Sequence, residues 1–302
     1  MERNTAKRTL EKLLSVCICL CMLGAMLPAQ VFAEEADTAQ TETVQDTAPK
    51  DAVYLSSADD LIQLAKNCRL DSWSQNRTVV LEADINLSSV DFNGIPSFGG
   101  TWEGQNHAIT GLSLSQDGSV QGLFRYVQQG ALVRDMTVKG RIKPGGTRAS
   151  VGGIAGSNAG TIENCAFDGV VSGTSQIGGI AGVNTVKGSI NGCTVSGTVY
   201  GRPLVGGGWP STVYGSHFVG GVVGQNDGVA ANCTNAASVN TTVSQNEVKL
   251  NDLTLDDVLK TEKANDVTDA GGIAGNNAGV LRACINRGTI GYSHLPLQPH
   301  WL

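Results

Sequence analysis

Residues 151–165 read VGGIAGSNAGTIENC, and the phrase returns as IGGIAGVNTVKGSINGC at 177–193, VGGVVGQNDGVAANC at 219–233 and AGGIAGNNAGVLRAC at 270–284. A phosphate-binding glycine loop or a catalytic cysteine is needed once. A segment written four times points to a stack of like units. Each copy carries Gly-Gly-x-x-Gly-x-Asn, which places Asn158, Asn184, Asn226 and Asn277, and each ends on Cys165, Cys193, Cys233 or Cys284. The gap from Asn to Cys is 7, 9, 7 and 7 residues, and Val171, Val199, Val239 or Ile290 follows six positions after the cysteine. The copies begin at Gly152, Gly178, Gly220 and Gly271, at intervals of 26, 42 and 51, so the two longer intervals carry insertions. A degenerate copy lies at Gly122–Ile142, with Leu123-Phe124 in place of Ile-Ala and Asp135 near the cysteine position.

Short β-branched pieces between glycine turns at this period predict an all-β chain. The predicted architecture is a right-handed parallel β-helix, a solenoid with three short strands per coil. Successive coils lie about 4.8 Å apart, so equal positions stack. The glycines are expected to supply positive φ at the corners and close passage of backbone. The four asparagines are expected to form an amide ladder at one corner, and the four cysteines a buried thiol column. A rung is repeated because it cannot bury its own apolar edges.

Composition agrees. The 302 residues include 39 glycines, only 5 % aromatics and 16 % charged residues, so the core must be thin and repeated. A formal charge of −6 argues against nucleic acid as a partner.

Residues 1–33 read as a signal peptide. Lys7, Arg8 and Lys12 precede an apolar run of 15, Leu13–Leu27, and Val31-Phe32-Ala33 offers small residues where a signal peptidase cuts. Cleavage is expected after Ala33. The run is shorter than the roughly 20 residues of a spanning helix, which disfavours an uncleaved anchor. No second apolar span follows, so the mature protein is expected to be secreted or held at the cell surface. Residues 34–52 form an acidic leader with almost no apolar residues, expected to be disordered.

From Val53 the chain becomes foldable. Val53-Tyr54-Leu55 reads as a strand; Ser57 is an N-cap with Asp60 three residues on. Leu61, Leu64, Ala65 and Cys68 make one helical stripe. This predicts an N-terminal helix that caps the stack, within a cap-and-first-coils region at 53–119. Residues 120–291 hold the repeats. The insertion 202–217 carries Trp209 and Tyr214, candidate ligand contacts. The insertion 240–269 carries a predicted short helix at Thr254–Ala264. Residues 292–302 break the pattern with no capping helix, which leads to the expectation that the chain is a truncated stalk piece of a longer surface protein.

The phrase Gly-Gly-Ile-Ala-Gly-x-Asn-x-Gly-x-Ile-x-x-Cys resembles the GLUG motif of bacterial secreted and cell-surface proteins. The likeness is strongest over 151–201 and 219–239, good over 270–291 and weaker over 120–142. Phe98-Gly-Gly-Thr-Trp-Glu-Gly-Gln-Asn-His107 is similar to the lead-in of such repeats. The resemblance implies an extracellular β-helical region, found in adhesin-like proteins and beside the peptidase domain of some IgA-specific metallopeptidases. It carries no catalytic residue to transfer.

Sharper chemistry finds little purchase. Four glycine phrases without a following helix do not make a nucleotide loop. Cleavage leaves five cysteines, an odd number with no C-x-x-C, so a reduced column is expected rather than disulfides or zinc. Glu163, Asn191, Ala231 and Arg282 stand two residues before the cysteines, so no acid recurs for calcium. No cofactor is expected. Asp135, Glu163, Asp168 and Asp227 are the scattered acids, and His107 reads as a hydrogen-bonded turn residue. The expected function is a non-enzymatic structural or adhesin-like module whose partner is an extracellular glycan or a surface protein. The alternative is a polysaccharide-active β-helix enzyme.

Overall fold

A computed structural model describes residues 52–145, 150–201, 218–239 and 269–291. The predicted helix at 254–264, the signal, the leader apart from Ala52, the insertions apart from Asp269, and residues 292–302 lie outside them; Ala52 and Asp269 each begin a strand. The described chain is a parallel β-helix. One coil runs Ser150–Gly152, Ala155–Asn158, Thr161–Glu163 and Ala166–Gly173, which we call faces I to IV. Stacking builds sheets of five, six, eight and eight strands on these faces, and each of these four strands pairs in parallel with the coil before and the coil after. The long intervals do not disturb the register. Ala155, Ala181, Val223 and Ala274 stand in line, as do Asn158, Asn184, Asn226 and Asn277.

The coil has four sides where three were expected, because the repeated phrase bends inside itself. The second glycine of each pair lies against a side chain of face IV. A Cβ on Gly153 would stand 2.3 Å from the Phe167 ring, and one on Gly179 2.3 Å from Val195. No side chain fits there, and the chain turns from face I to face II. The paired glycines therefore serve close approach, and they do not take positive φ as expected. The left-handed corner lies one residue before the cysteine instead: Asp135 at +57°, Asn164 at +49°, Gly192 at +64°, Asn232 at +54° and Ala283 at +51°. Asn and Asp tolerate this region best among residues with a side chain. The degenerate copy is corrected in the same way. Thr137 pairs with Ala166, so buried Met136 takes the cysteine position and Asp135 the corner.

The core changes character along the axis. Phe98, Trp102 and Phe124 pack together near the N-terminal end, with centroids 5.2–6.0 Å apart. Further on, the column two residues after the cysteine reads Phe167, Val195, Asn235 and Asn286. The last two asparagines form a second ladder that the sequence reading did not foresee, Asn235 Nδ2 donating to Asn286 Oδ1 at 2.7 Å.

The N-terminal end is closed. Strand Ala52–Leu55 pairs with Thr78–Leu81, and helix α1 (Ala58–Asn67) follows. Asp60 N donates to Ser57 Oγ at 3.2 Å, and Ser57 N donates to Asp60 Oδ2 at 3.0 Å, a complete capping box. A ten-residue helix is too short to stand alone, and packing holds it. Leu61, Leu64 and Cys68 are buried in the core, the two leucines contributing roughly 1.5–3 kcal/mol each. At the other end Leu281 continues the core column of Ile190 and Ala230 yet is 39 % exposed.

Candidate functional site

The asparagines stand at the inner corner between faces II and III. Asn158 Nδ2 donates to Asn184 Oδ1 at 2.8 Å, Asn184 Nδ2 to Asn226 Oδ1 at 2.8 Å, and Asn226 Nδ2 to Asn277 Oδ1 at 2.7 Å. Each amide also closes its own turn: Asn158 Nδ2 donates to Gly160 O, and Gly160 N donates back to Asn158 Oδ1. The first three are fully buried. Such a ladder is stable because each buried donor and acceptor has a partner in the next coil. The ladder begins at Asn158; earlier coils place Val127 and Phe98 in that column.

The cysteines form the second column. Cys165, Cys193 and Cys233 are buried, Cys284 is half-buried, and all four are free thiols, as is Cys68. Each Sγ donates to the carbonyl two residues back, at 3.2 Å to Glu163, 3.4 Å to Asn191, 3.1 Å to Ala231 and 3.4 Å to Arg282. The stacked neighbour, Cys165 under Cys193 and Cys193 under Cys233, together with burial raises both thiols far above the usual range. Burial pushes Cys68 up to about 11 and also raises Cys284. Protonated thiols in this setting are poor nucleophiles and poor ligands. Among the described residues no three His, Cys, Asp or Glu side chains are grouped to hold a metal.

The scattered acids stay scattered. Glu163 is on face III, in register with Arg134, which makes two hydrogen bonds of 2.7 and 2.9 Å to Glu103. Asp168 is on face IV, 3.9 Å from Lys139 and accepting from Ser196 Oγ at 2.9 Å. Asp227 accepts from Gln225, and Asp135 from Asn164. His107 Nδ1 lies 3.1 Å from Asp84 Oδ1, which also accepts from Ala108 N at 2.8 Å. That backbone bond, then His107, holds the Asp84 carboxyl below its ordinary range. Trp209 and Tyr214 lie outside the described residues.

One contact on face IV joins residues far apart in sequence. Lys143 Nζ stands 5.3 Å from the centroid of the Tyr200 ring, two coils away. Between them lies Ser172, paired with Tyr200 and fully buried, its Oγ without a hydrogen-bond partner among the described residues. No repeated motif marks this set.

No family model matches the chain. Part of it is 27 % identical over 133 residues to halomucin of Haloquadratum walsbyi, covering 38 % of this chain. The chain spans 1 % of halomucin's length. Among solved structures, it is similar to a candidate immunoglobulin A1 protease from Bacteroides ovatus, with a TM-score of 0.53, 17 % identity, and coverage of 80 % of this chain and 77 % of that one. At this identity the likeness is one of fold: the chain shares a stacked parallel β architecture with that protein.

Proposed function

We propose that the chain is a secreted or surface-held β-helical repeat protein of the GLUG type, acting as a non-enzymatic structural or adhesin-like binding module. One observation carries the reading. The positions written in all four copies serve the stack: glycines at the bend, asparagines in the ladder, cysteines in the core. Residue types kept for catalysis would stand once, converging and outward. The acids here stand on different faces and corners: Asp135, Asp168 and Asp227 each have a local partner of their own, and Glu163 stands in register with Arg134, which is bound to Glu103. The signal-like residues 1–33 and the likeness to halomucin support an exported location. The test is a glycan panel with two readouts, retention and release of new ends. Retention without cleavage is expected. Release of reducing or unsaturated ends, abolished by Asp168→Asn or Asp227→Asn, would replace this reading with that of a polysaccharide-active enzyme.

A further inference from the structure

Face IV carries a row of cations that the repeats do not write. Strand Thr137–Ile142 turns Val138 and Ile142 fully into the core, so Lys139 and Arg141 stand outward and Lys143 takes the next outward position. At strand spacing their Cα atoms are roughly 6–7 Å apart. The chain as a whole has 27 acids against 21 Lys and Arg, so a row of three cations runs against its general charge. Lys139 is near Asp168, but among the described residues Arg141 and Lys143 pair with no carboxylate. The Lys143 side chain runs past Ser172 to the Tyr200 ring, a cation–π contact that holds the ammonium in place. In the coil before, exposed Ser113 stands in register with Arg141; in the coil after, Asp168 and Val170 stand beside Lys139 and Arg141, with Ser196 and Thr198 one coil further on the same outer face.

We propose that Arg141 and Lys143, with Lys139 at the end of the row, bind a linear anionic polysaccharide laid across face IV. The proposal rests on the reading of the chain as a surface binding module and names its ligand class. The row is one strand deep, which suits a single extended polymer and not the broad phosphate surface of a duplex. The neighbouring hydroxyls match sugar hydroxyls, and the fixed ammonium and the planar guanidinium match carboxylate or sulfate. Tyr200 is a positioning residue that acts through Lys143.

The test uses the full exported chain on immobilised polygalacturonate and on heparin, with neutral dextran as control, between about 50 and 200 mM NaCl. Both anionic polymers, or one of them, are expected to retain the chain, and dextran is not. Retention by polygalacturonate alone assigns carboxylate, and by heparin alone sulfate. Arg141→Gln and Lys143→Gln should each weaken binding about fivefold, and the pair about 25-fold. The slope of log affinity on log salt should fall by about one for each charge removed. Tyr200→Phe should bind as wild type, whereas Tyr200→Ala should behave as Lys143→Gln. If Tyr200→Ala unfolds, the exposed Arg141→Gln and the conservative Tyr200→Phe still decide. Equal retention on dextran, undiminished binding by the double variant, or no binding to either anionic polymer overturns the proposal. Release of reducing ends by a wild type that still needs Arg141 and Lys143 for binding would sink the non-enzymatic reading and leave the row standing.

Discussion

Replacing Asn184 by alanine tests whether the ladder holds the stack. Asn184 is fully buried, accepts from Asn158 Nδ2 at 2.8 Å, and donates to Asn226 Oδ1 at 2.8 Å and Val229 O at 3.1 Å. Alanine removes both amide–amide bonds. Asn158 Nδ2 keeps Gly160 O and Ser189 O, but Asn226 Oδ1 loses its donor inside the protein. Two lost bonds cost about 1 kcal/mol each, and the stranded acceptor costs about 1–3 more. These come to roughly 3–5 kcal/mol, and the lost bond to Val229 O and the small void add to that figure. Asn277→Ala is the control. Asn277 is exposed, and its partner Asn226 Nδ2 retains Gly228 O and Val280 O, so the cost should stay near or below about 1 kcal/mol. Urea unfolding followed by circular dichroism reads the difference. With a slope of about 2 kcal/mol/M, the midpoint should fall by roughly 1.5–2.5 M for Asn184→Ala and by less than about 0.5 M for Asn277→Ala. Equal shifts would refute the view that buried amide pairing, and not strand pairing alone, fixes the coils.

Iodoacetamide at mildly alkaline pH should modify Cys284 first, and Cys68, Cys165, Cys193 and Cys233 only on unfolding; peptide mass spectrometry gives the order, and equal rates for Cys193 and Cys284 would contradict a closed thiol column. Gly179→Ala should cost more than about 3 kcal/mol or prevent folding, since its Cβ would meet Val195 at 2.3 Å and Gly221 O at 2.4 Å; a melting temperature near wild type would remove the close-approach account of the paired glycines. The Asp60 carboxyl is held below its ordinary range, first by the Ser57 hydroxyl and then by the backbone N–H of Ser56. Its stabilisation is therefore complete above the unfolded carboxylate value of about 3.9 and is lost as pH falls through the lower folded value. Asp60→Asn should abolish that acid-limb dependence, and an unchanged acid limb would show that the cap is not its source.

The repeat was legible because the constraint recurs at every coil. Four copies of one phrase expose the asparagine and cysteine columns, and Ser57 with Asp60 announces the helix that closes the stack. The fourth side was hidden because glycine is ambiguous. The same letter marks a positive-φ corner and a place where backbone meets a side wall, and only the position of Phe167 against Gly153 separates them. The true left-handed corner is written with four residue types over five coils, Asp, Asn, Gly, Asn and Ala, so no single letter betrayed it. Asn235 and Asn286 recur only twice, too briefly to stand out from a column that begins Phe, Val. The contact between Lys143 and Tyr200 skips a coil and belongs to no repeat, so it could come only from coordinates.

The link from face IV to the next face I has its own consequence. It is two residues long between Gly173 and Gln176, yet the corresponding links run from Gly201 to Phe218 and from Val239 to Asp269 with the pairing beyond them unchanged. The other corners stay within a few residues from coil to coil. Such a molecule counts turns and ignores contour length along one edge. Doubling a flexible link adds only about 0.6 kcal/mol of closure cost. Mutational drift in length can therefore accumulate along a single seam while the remaining circumference stays fixed. A foreign epitope spliced between Gly173 and Gln176 should be displayed there without retuning any neighbouring coil.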